Sequence, residues 1–537
     1  VDKAIKAIKS KFQQNATMFS LRNPTGKPIR LWPVILIFLL TILTVVWIWL
    51  FNSLDRQSQN LRIISVLGIS FLLIVAWLLF FSRLRWRIRF LSLGIVLSAI
   101  LFSVVLFRIK GFTGDLIPIL EWSWAKKAGD SLTQADTSSE RIHGSLRSSP
   151  YNYPRFLGPN RNAVLSGIEL ARDWSKHPPQ LMWRQPIGAG WSAFAIFGDF
   201  VVTQEQHGEQ EMVVCYNLKS GQMKWSHSDN TRHEKVPGGV GPRATPTIVR
   251  NHVYTLGATG TLNCLELLTG ERVWAKNIVS DNNSKVNEWG ISCSPLVLDH
   301  MVVVSAGGHL EKSLVAYHKD TGETIWHAGN DQAGYSSPII TNFVDIPQIL
   351  IFNRGYIVSH NPLNGKIFWR QSWPKETQHV AQPLPLPENQ LFVSTGYGIG
   401  CKLFQIHRDR NLEKFHVSLV WENHHLKAKF TNVVHYEGHI YGLDDGILVC
   451  LDSTNGQRKW KRGRYGHGQM ILVNNLLLIQ AESGEIVLVS ADPTAYKELS
   501  RFVALDGRTW NNPALSGPYL LVRNDQEAAC YLLPMGE

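Results

Sequence analysis

Hydrophobic residues are distributed in two different ways along the chain. Up to about residue 110 they form long uninterrupted runs, Leu31 to Phe51, Ile63 to Phe81 and Phe90 to Phe107, each close to the roughly 20 residues that a helix needs to cross a bilayer. None of the three runs contains an ionisable residue in its interior. Charges within a membrane mark ion paths and proton relays, so the pattern predicts three transmembrane α-helices that anchor or dock and argues against a pump or transporter. From Tyr151 onward the pattern changes. Short runs rich in Val, Ile, Leu and Tyr, such as LVLDHMVVVSA, HVYTLGA, EIVLVSA and YLLVRND, are bounded by Gly, Asn and Asp, which predicts β-strands separated by turns.

The strands recur in a fixed unit: a small polar motif, a strand, a hairpin, a strand carrying Cys or Ala, a turn with Gly, and a last strand ending in an aromatic. The endings SGQMKW, TGERVW, TGETIW, NGKIFW and NGQRKW are plain copies of one another. Terminal aromatics fall at Trp183, Trp225, Trp274, Trp326, Trp369, Trp421, Trp460 and Phe502. Opening motifs give an independent count: WSAF (191–194), RATP (243–246), SCSP (292–295), YSSP (335–338), VAQP (380–383), KFTN (429–432), GHGQ (466–469) and WNNP (510–513). Both counts give eight four-stranded sheets, and the expected fold is an all-β, eight-bladed β-propeller preceded by three transmembrane helices. In this reading Gly supplies a positive φ at the turn, and each terminal aromatic docks one blade on the next. The strand QLMWRQP (180–186) precedes the first opening motif and is expected to complete the eighth blade, clasping first and last sheets together.

The domain plan that follows is a basic tail over 1–30, a three-helix anchor over 31–110, a juxtamembrane segment and linker over 111–150, and the propeller over 151–537. The stretch 111–124 carries Gly, Pro and Trp and suits the bilayer interface, while 125–150 is polar and Ser-rich and reads as a linker. The formal net charge is +12. Much of it sits before the first span (Lys3, Lys6, Lys9, Lys11, Arg22, Lys27, Arg30) and between spans two and three (Arg83, Arg85, Arg87, Arg89), against Arg56, Arg62 and Asp55 in the other loop. By the positive-inside rule the N-terminus is cytoplasmic and the propeller is extracytoplasmic, on a bacterial inner membrane. Three spans, the first of them some 30 residues in, also argue against a cleaved signal peptide. The charge is a topology signal, so the expected partners are the lipid bilayer and other membrane or periplasmic subunits, and no nucleic acid. Four of the cysteines, Cys215, Cys264, Cys450 and Cys530, occupy equivalent places in different repeats, which lie far apart in a propeller, so the cysteines are expected to be free and buried.

The trio of Ser-Pro, then Ala or Cys with an aromatic or Leu and Asp or Asn, then Thr-Gly-Glu-x-x-Trp resembles the pyrroloquinoline quinone (PQQ) type propeller repeat. FLGPNRNAV (156–164) is similar to the lead-in of many such domains. The resemblance covers about 151–537. It includes both quinoprotein alcohol dehydrogenases and the non-catalytic propeller lipoprotein of the outer-membrane assembly machine, so it implies a fold and leaves function open. The enzyme branch implies a planar quinone between a Trp and vicinal cysteines, calcium held by Glu and Asn, and an Asp base. No two cysteines are adjacent here, no Cys-x-x-Cys-His haem pattern occurs, and no Asp base can be assigned. Glu205 falls near the place of the calcium-ligand Glu, and Trp289 or Trp191 could stack on a flat ligand. The His424 and His425 pair lacks a third ligand, since strand neighbours point to opposite faces.

Residues at the opening motifs should face one mouth of the axial channel: Trp191, Arg243, Trp289, Tyr335, Gln382, Lys429, Arg464, His467 and Trp510, with Glu205 as the weak calcium candidate. Such a set suits a flat or anionic ligand or an acidic loop, or it satisfies backbone atoms around a tight axis. The leading expectation is a binding or assembly scaffold in an envelope complex that needs no cofactor. The other is a membrane-bound PQQ-dependent dehydrogenase of an alcohol or sugar.

Overall fold

The computed structural model describes residues 29–51, 55–125, 149–234, 238–409 and 411–536. Nearly all of the basic tail and most of the linker lie outside the described residues. The chain divides into two units, Val1–Ala125 and Lys126–Glu537.

Among the described residues of the first unit three helices are long and apolar enough to cross a membrane: Trp32–Phe51, Arg56–Phe81 and Trp86–Leu106. The second starts seven residues before its apolar run because Asp55 caps it, accepting the Ser58 N–H at 3.1 Å, and a capped polar turn extends a helix beyond its apolar stretch. Its last turn, Trp77–Phe81, widens to π geometry. Thr41 and Ser70 share a hydroxyl hydrogen bond of 2.7 Å between the first two helices, the kind of polar contact that joins helices where lipid provides no hydrophobic drive. The third helix runs directly into a β-hairpin, Phe107–Phe112 paired with Pro118–Trp122. Part of the segment expected at the interface is therefore a strand, and its Trp122 stacks on Phe107 at 4.4 Å and on Trp124 at 5.0 Å.

Among the described residues the second unit forms eight sheets, each built on four antiparallel strands. Seven are formed from strands consecutive in sequence. The eighth joins Ala514–Ser516, Tyr519–Arg523 and Glu527–Leu532 to Gln180–Pro186, so the expected clasp is present. Each first strand begins within three residues of its opening motif, which puts the motifs at one end of the inner strands. A single helical turn, Ile278–Asp281, interrupts the β pattern.

The recurring Gly and Trp are halves of one contact. Indole N–H groups donate to a carbonyl in the turn of the following sheet: Trp183 to Leu218 (2.9 Å), Trp225 to Leu267 (2.8 Å), Trp274 to Lys319 (2.7 Å), Trp326 to Pro362 (3.1 Å), Trp421 to Ser453 (3.1 Å) and Trp460 to Asp492 (2.9 Å). Where that turn holds Gly, at 221, 270, 322, 365 and 456, φ lies between 70° and 75°, and an added β-carbon would overlap the arriving indole. Gly is thus required twice, by the backbone and by the neighbour. Within its own sheet each Trp pairs with a residue on the preceding strand (Cys215, Cys264, Ala316, Ser359, Leu403, Cys450, Cys530), and a β-bulge follows at once. Two aromatics depart from the pattern. Trp369 donates to Gln348 of its own sheet at 2.8 Å, because the next sheet ends in a long hairpin, Gly400–Asp409 with Lys414–Asn423. Phe502, with no N–H, packs edge-on against Tyr531 and Trp174. All six cysteines are free and buried.

Candidate functional site

The opening motifs hold one another around the axis. Ala193 N–H donates to Thr245 Oγ1 (3.3 Å), Thr245 N–H to Ser294 Oγ (2.9 Å), Ser294 N–H to Ser337 Oγ (2.8 Å), Ser337 N–H to Gln382 Oε1 (3.1 Å) and Gln382 N–H to Asn432 Oδ1 (3.0 Å). Gln469 Nε2 continues the circuit by donating to Phe430 O (2.9 Å) and Trp510 O (3.2 Å), and Asn511 Nδ2 closes it on Ser192 O at 2.8 Å. Every sheet takes part. The small polar residues before each first strand therefore satisfy backbone groups that the strand ends leave open, and Gln382 is a member of this ring.

The chain itself also runs across several of the inner strands. Tyr153 pairs with Ile196 of the first sheet, Pro154 O accepts from Ile248 of the second, and Arg161 donates to Ser294 O and Pro295 O of the third, both at 2.9 Å. A few residues later Val164–Leu165 lies parallel to Leu472–Val473 of the seventh sheet. The third and seventh sheets face each other across a ring of eight, so the FLGPNRNAV stretch spans the axis.

At the opening-motif mouth the structure gathers most of the predicted residues. Trp191 and Trp510 lie 4.9 Å apart between ring centroids, and Arg508 sits over both, at 4.8 and 4.3 Å. Phe430 packs against Trp510 (5.1 Å) and His467 (4.9 Å), and Lys429 lies over Tyr397 at 5.2 Å. Glu482 ties the group together, accepting from Trp510 Nε1 at 2.9 Å and from His467 N–H at 3.0 Å. The Trp191 indole donates to Gly238 O at 2.8 Å. Arg243 donates to Gly239 O at 2.7 Å and to Gly241 O, and burial lowers its pKa to about 10. Trp289 packs on Gly238, and its backbone N–H reaches Tyr335 Oη at 3.4 Å.

Two candidates lie elsewhere. Arg464 ends the outermost strand of the sixth sheet and is exposed, donating to Asp445 O at 3.4 Å; that strand stops two residues before the GHGQ motif. Glu205 is wholly buried in a second strand, where it accepts from Gly188 N–H (2.7 Å), His207 Nε2 (2.8 Å) and Tyr216 Oη (2.8 Å). Burial alone would raise its pKa, but the His207 hydrogen bond and the Arg523 charge hold it below the usual carboxylate value.

Sequence reasoning missed Arg523, which is fully buried at the seam of the eighth and first sheets. Its guanidinium donates to Thr203 Oγ1 (2.6 Å), Gln204 O (2.9 Å) and Gly188 O (3.0 Å). The signal was available: an Arg in the apolar strand YLLVRND, where other sheets place Gln204, Ser305, Ser394 or Gln480. Arg508 and Phe430 were also missed, since nothing in their local sequence separates them from turn residues.

The quinone and calcium implied by the repeat find no matching donor set. Both Glu205 oxygens are engaged by the protein, Trp191 and Trp510 already stand at stacking distance from each other, and all six cysteines are buried. Among the described residues no three His, Cys, Asp or Glu side chains group as metal ligands. His425 Nδ1 bonds Gly456 O at 3.1 Å.

The fold and these contacts define a β-propeller with apolar N-terminal helices, and its repeats are similar to the PQQ type. Residues 209–462 match the family described as Outer membrane protein assembly factor BamB. Among solved structures, the quinohemoprotein alcohol dehydrogenase ADHIIG from Pseudomonas putida HK5 is similar with a TM-score of 0.52 at 11% identity, covering 72% of this chain and 81% of that one. The quinohemoprotein alcohol dehydrogenase from Comamonas testosteroni gives 0.51 at 12%, with 75% and 83% covered. BamB from Moraxella catarrhalis gives 0.49 at 13%, with 67% and 99% covered. No curated protein matches the chain significantly. Identities this low speak for the fold alone.

Proposed function

We propose that the chain is a membrane-anchored extracytoplasmic β-propeller that acts as a binding or assembly scaffold, a subunit of a larger complex in a bacterial envelope. Its N-terminus is cytoplasmic, the three helices lie in the inner membrane, and its partners are other membrane or periplasmic subunits. The observation that carries this reading is the use made of the interior: Glu205, Arg523, Gln382 and the opening-motif ring all bond to the protein's own backbone and side chains. What remains for recognition is surface. The match to an assembly factor family supports the same reading, and three helices exceed what a tether needs.

Photo-crosslinkers placed at Leu310 and Leu363, both near 80% exposed on the propeller, and at Phe102 on the third helix test it in native membranes. The reading expects the same neighbour to recur at the helix site or at one propeller site, and the detergent-purified protein to run above monomer size. A monomer with no repeated neighbour would end it.

A further inference from the structure

The two ends of the three-helix anchor differ in charge. Its second helix, Arg56–Phe81, is 26 residues long, which makes it about 39 Å from end to end. The acids among the described residues of the first unit belong to the end where that helix starts. Asp55 caps it, Asp115 O accepts from Asn60 Nδ2 at 2.9 Å, and Glu121 accepts from Arg108, just past the third helix, at 2.9 Å. The other end holds Arg83, Arg85, Arg87 and Arg89 in the connection to the third helix, together with Arg30, whose carbonyl accepts from Trp77 Nε1 at 2.9 Å. Charges separated by the length of a span are screened from one another, the Debye length being about 10 Å. The arginine end therefore keeps its positive charge.

The connection itself is held in one shape. Ser82 Oγ donates to Leu78 O at 2.7 Å and Arg89 Nε to Leu84 O at 2.9 Å, and the Arg89 guanidinium also reaches Leu79 O. Carbonyls left open where the second helix widens to π geometry are thus taken up by the connection's own side chains. Arg83 has a φ of +59°, a conformation that Gly or Asn adopts at less cost, so an arginine there is kept for its side chain. Arg87 is exposed, Arg83 and Arg85 are half-buried, and Trp86, 57% exposed, stands between Arg85 and Arg87. An exposed Trp at the end of an apolar helix marks the headgroup level of a bilayer.

A contrast within the chain says what these cations meet. The tail before the first helix carries Lys3, Lys6, Lys9, Lys11 and Lys27 with Arg22 and Arg30, whereas residues 82–90 carry four Arg and no Lys. Orienting a span requires charge alone, which Lys supplies as well as Arg. A guanidinium adds a planar fork that gives paired hydrogen bonds to phosphate oxygens, and it sheds water more readily than an ammonium. We propose that the connection 82–89 binds the headgroup of an anionic phospholipid, with Arg83, Arg85 and Arg87 directed at its phosphate and Trp86 beside its glycerol. Lipid is the occupant because the site lies level with the ends of apolar helices, where phosphates are the abundant anions. The inference rests on the membrane anchoring of the scaffold reading and on none of its partners.

Native mass spectrometry of the full chain released from a neutral detergent, titrated with phosphatidylglycerol or with phosphatidylcholine, whose choline cancels the phosphate charge, tests the proposal. The parent should hold phosphatidylglycerol about tenfold more tightly than phosphatidylcholine. Arg83→Lys, Arg85→Lys and Arg87→Lys combined keep the net charge and should weaken phosphatidylglycerol about tenfold. Arg87→Gln alone, at an exposed side chain, should weaken it several-fold with the melting temperature unchanged. Equal retention of the two lipids by the parent would overturn the site. Undiminished phosphatidylglycerol affinity in the triple Lys variant would leave the arginines a topology signal only and overturn it as well. Cross-linking that captures no recurring neighbour would end the scaffold reading and leave this site standing.

Discussion

Trp274 of the second sheet packs on Gly322 of the third so closely that a β-carbon at Gly322 would lie 2.8 Å from Cε3 and 2.9 Å from Cδ2 of the indole. The same indole donates to Lys319 O at 2.7 Å. Gly322→Ala therefore meets two obstacles, a φ of +73° and a ring that cannot retreat without losing its hydrogen bond. The expected loss is about 2–4 kcal/mol, read as a fall in melting temperature. Gly438 has the same φ of +73° and nothing within 4 Å, so Gly438→Ala isolates the backbone part, about 1 kcal/mol. Equal effects at the two sites would remove the indole from the explanation.

The seam of the ring depends on Arg523. Arg523→Met leaves several carbonyls short of a donor and Glu205 buried without the opposite charge, and should cost about 3–5 kcal/mol. Adding Glu205→Gln should recover part of that loss, because the uncompensated charge goes with it. Since the pKa of Glu205 is lowered in the folded protein, the stability it contributes is present above about pH 4 and is lost as pH falls through the folded value. Acid melts of Glu205→Gln should be correspondingly flatter.

Glu211 titrates in the opposite sense. Burial raises its carboxyl to about 7, with Asp229 adding to the rise and Arg243 opposing it, while it accepts the Ala258 N–H at 3.0 Å. Its contribution is complete below about pH 4 and lost as pH rises through about 7. Glu211→Gln keeps an acceptor and removes the charge. It should match the parent near pH 4.5 and exceed it at pH 8 by about 3 kcal/mol; identical pH profiles would refute this.

The clasp makes a coarser test. Gln180–Pro186 gives the eighth sheet its outer strand, and Arg184 adds paired bonds of 2.7 Å to Glu527. Deleting residues 178–186 should lower the melting temperature far more than deleting 128–148. Equal values for the two truncations would contradict the closure.

The fold was legible because the repeat is a mechanical device. Gly and Trp recur at fixed spacing since each pair is one contact between sheets, and eight such units leave few alternatives. The strand Gln180–Pro186 could be assigned because its Trp183 had no blade of its own. The mouth was harder to read. Trp191, His467 and Trp510 could be placed from their motifs, but Arg508 reaches them from outside any motif, and Arg464 looked like a motif residue while belonging to the end of an outer strand. Glu205 matched a position in sequence, whereas its role was decided by His207, Tyr216 and Arg523, the last more than 300 residues away. Arg523 shows in the sequence as an Arg in an apolar strand, but nothing local says that Glu205 is its neighbour.

The proposed scaffold role rests on a polar interior that knits the ring together, and it expects no redox cofactor to bind there. Titration of the full chain with PQQ and calcium, followed by absorbance and by dye-linked alcohol oxidation, tests it most directly. The account predicts no saturable spectral change and no turnover. Saturable binding with turnover that Glu205→Ala abolishes would contradict it and make the protein a dehydrogenase.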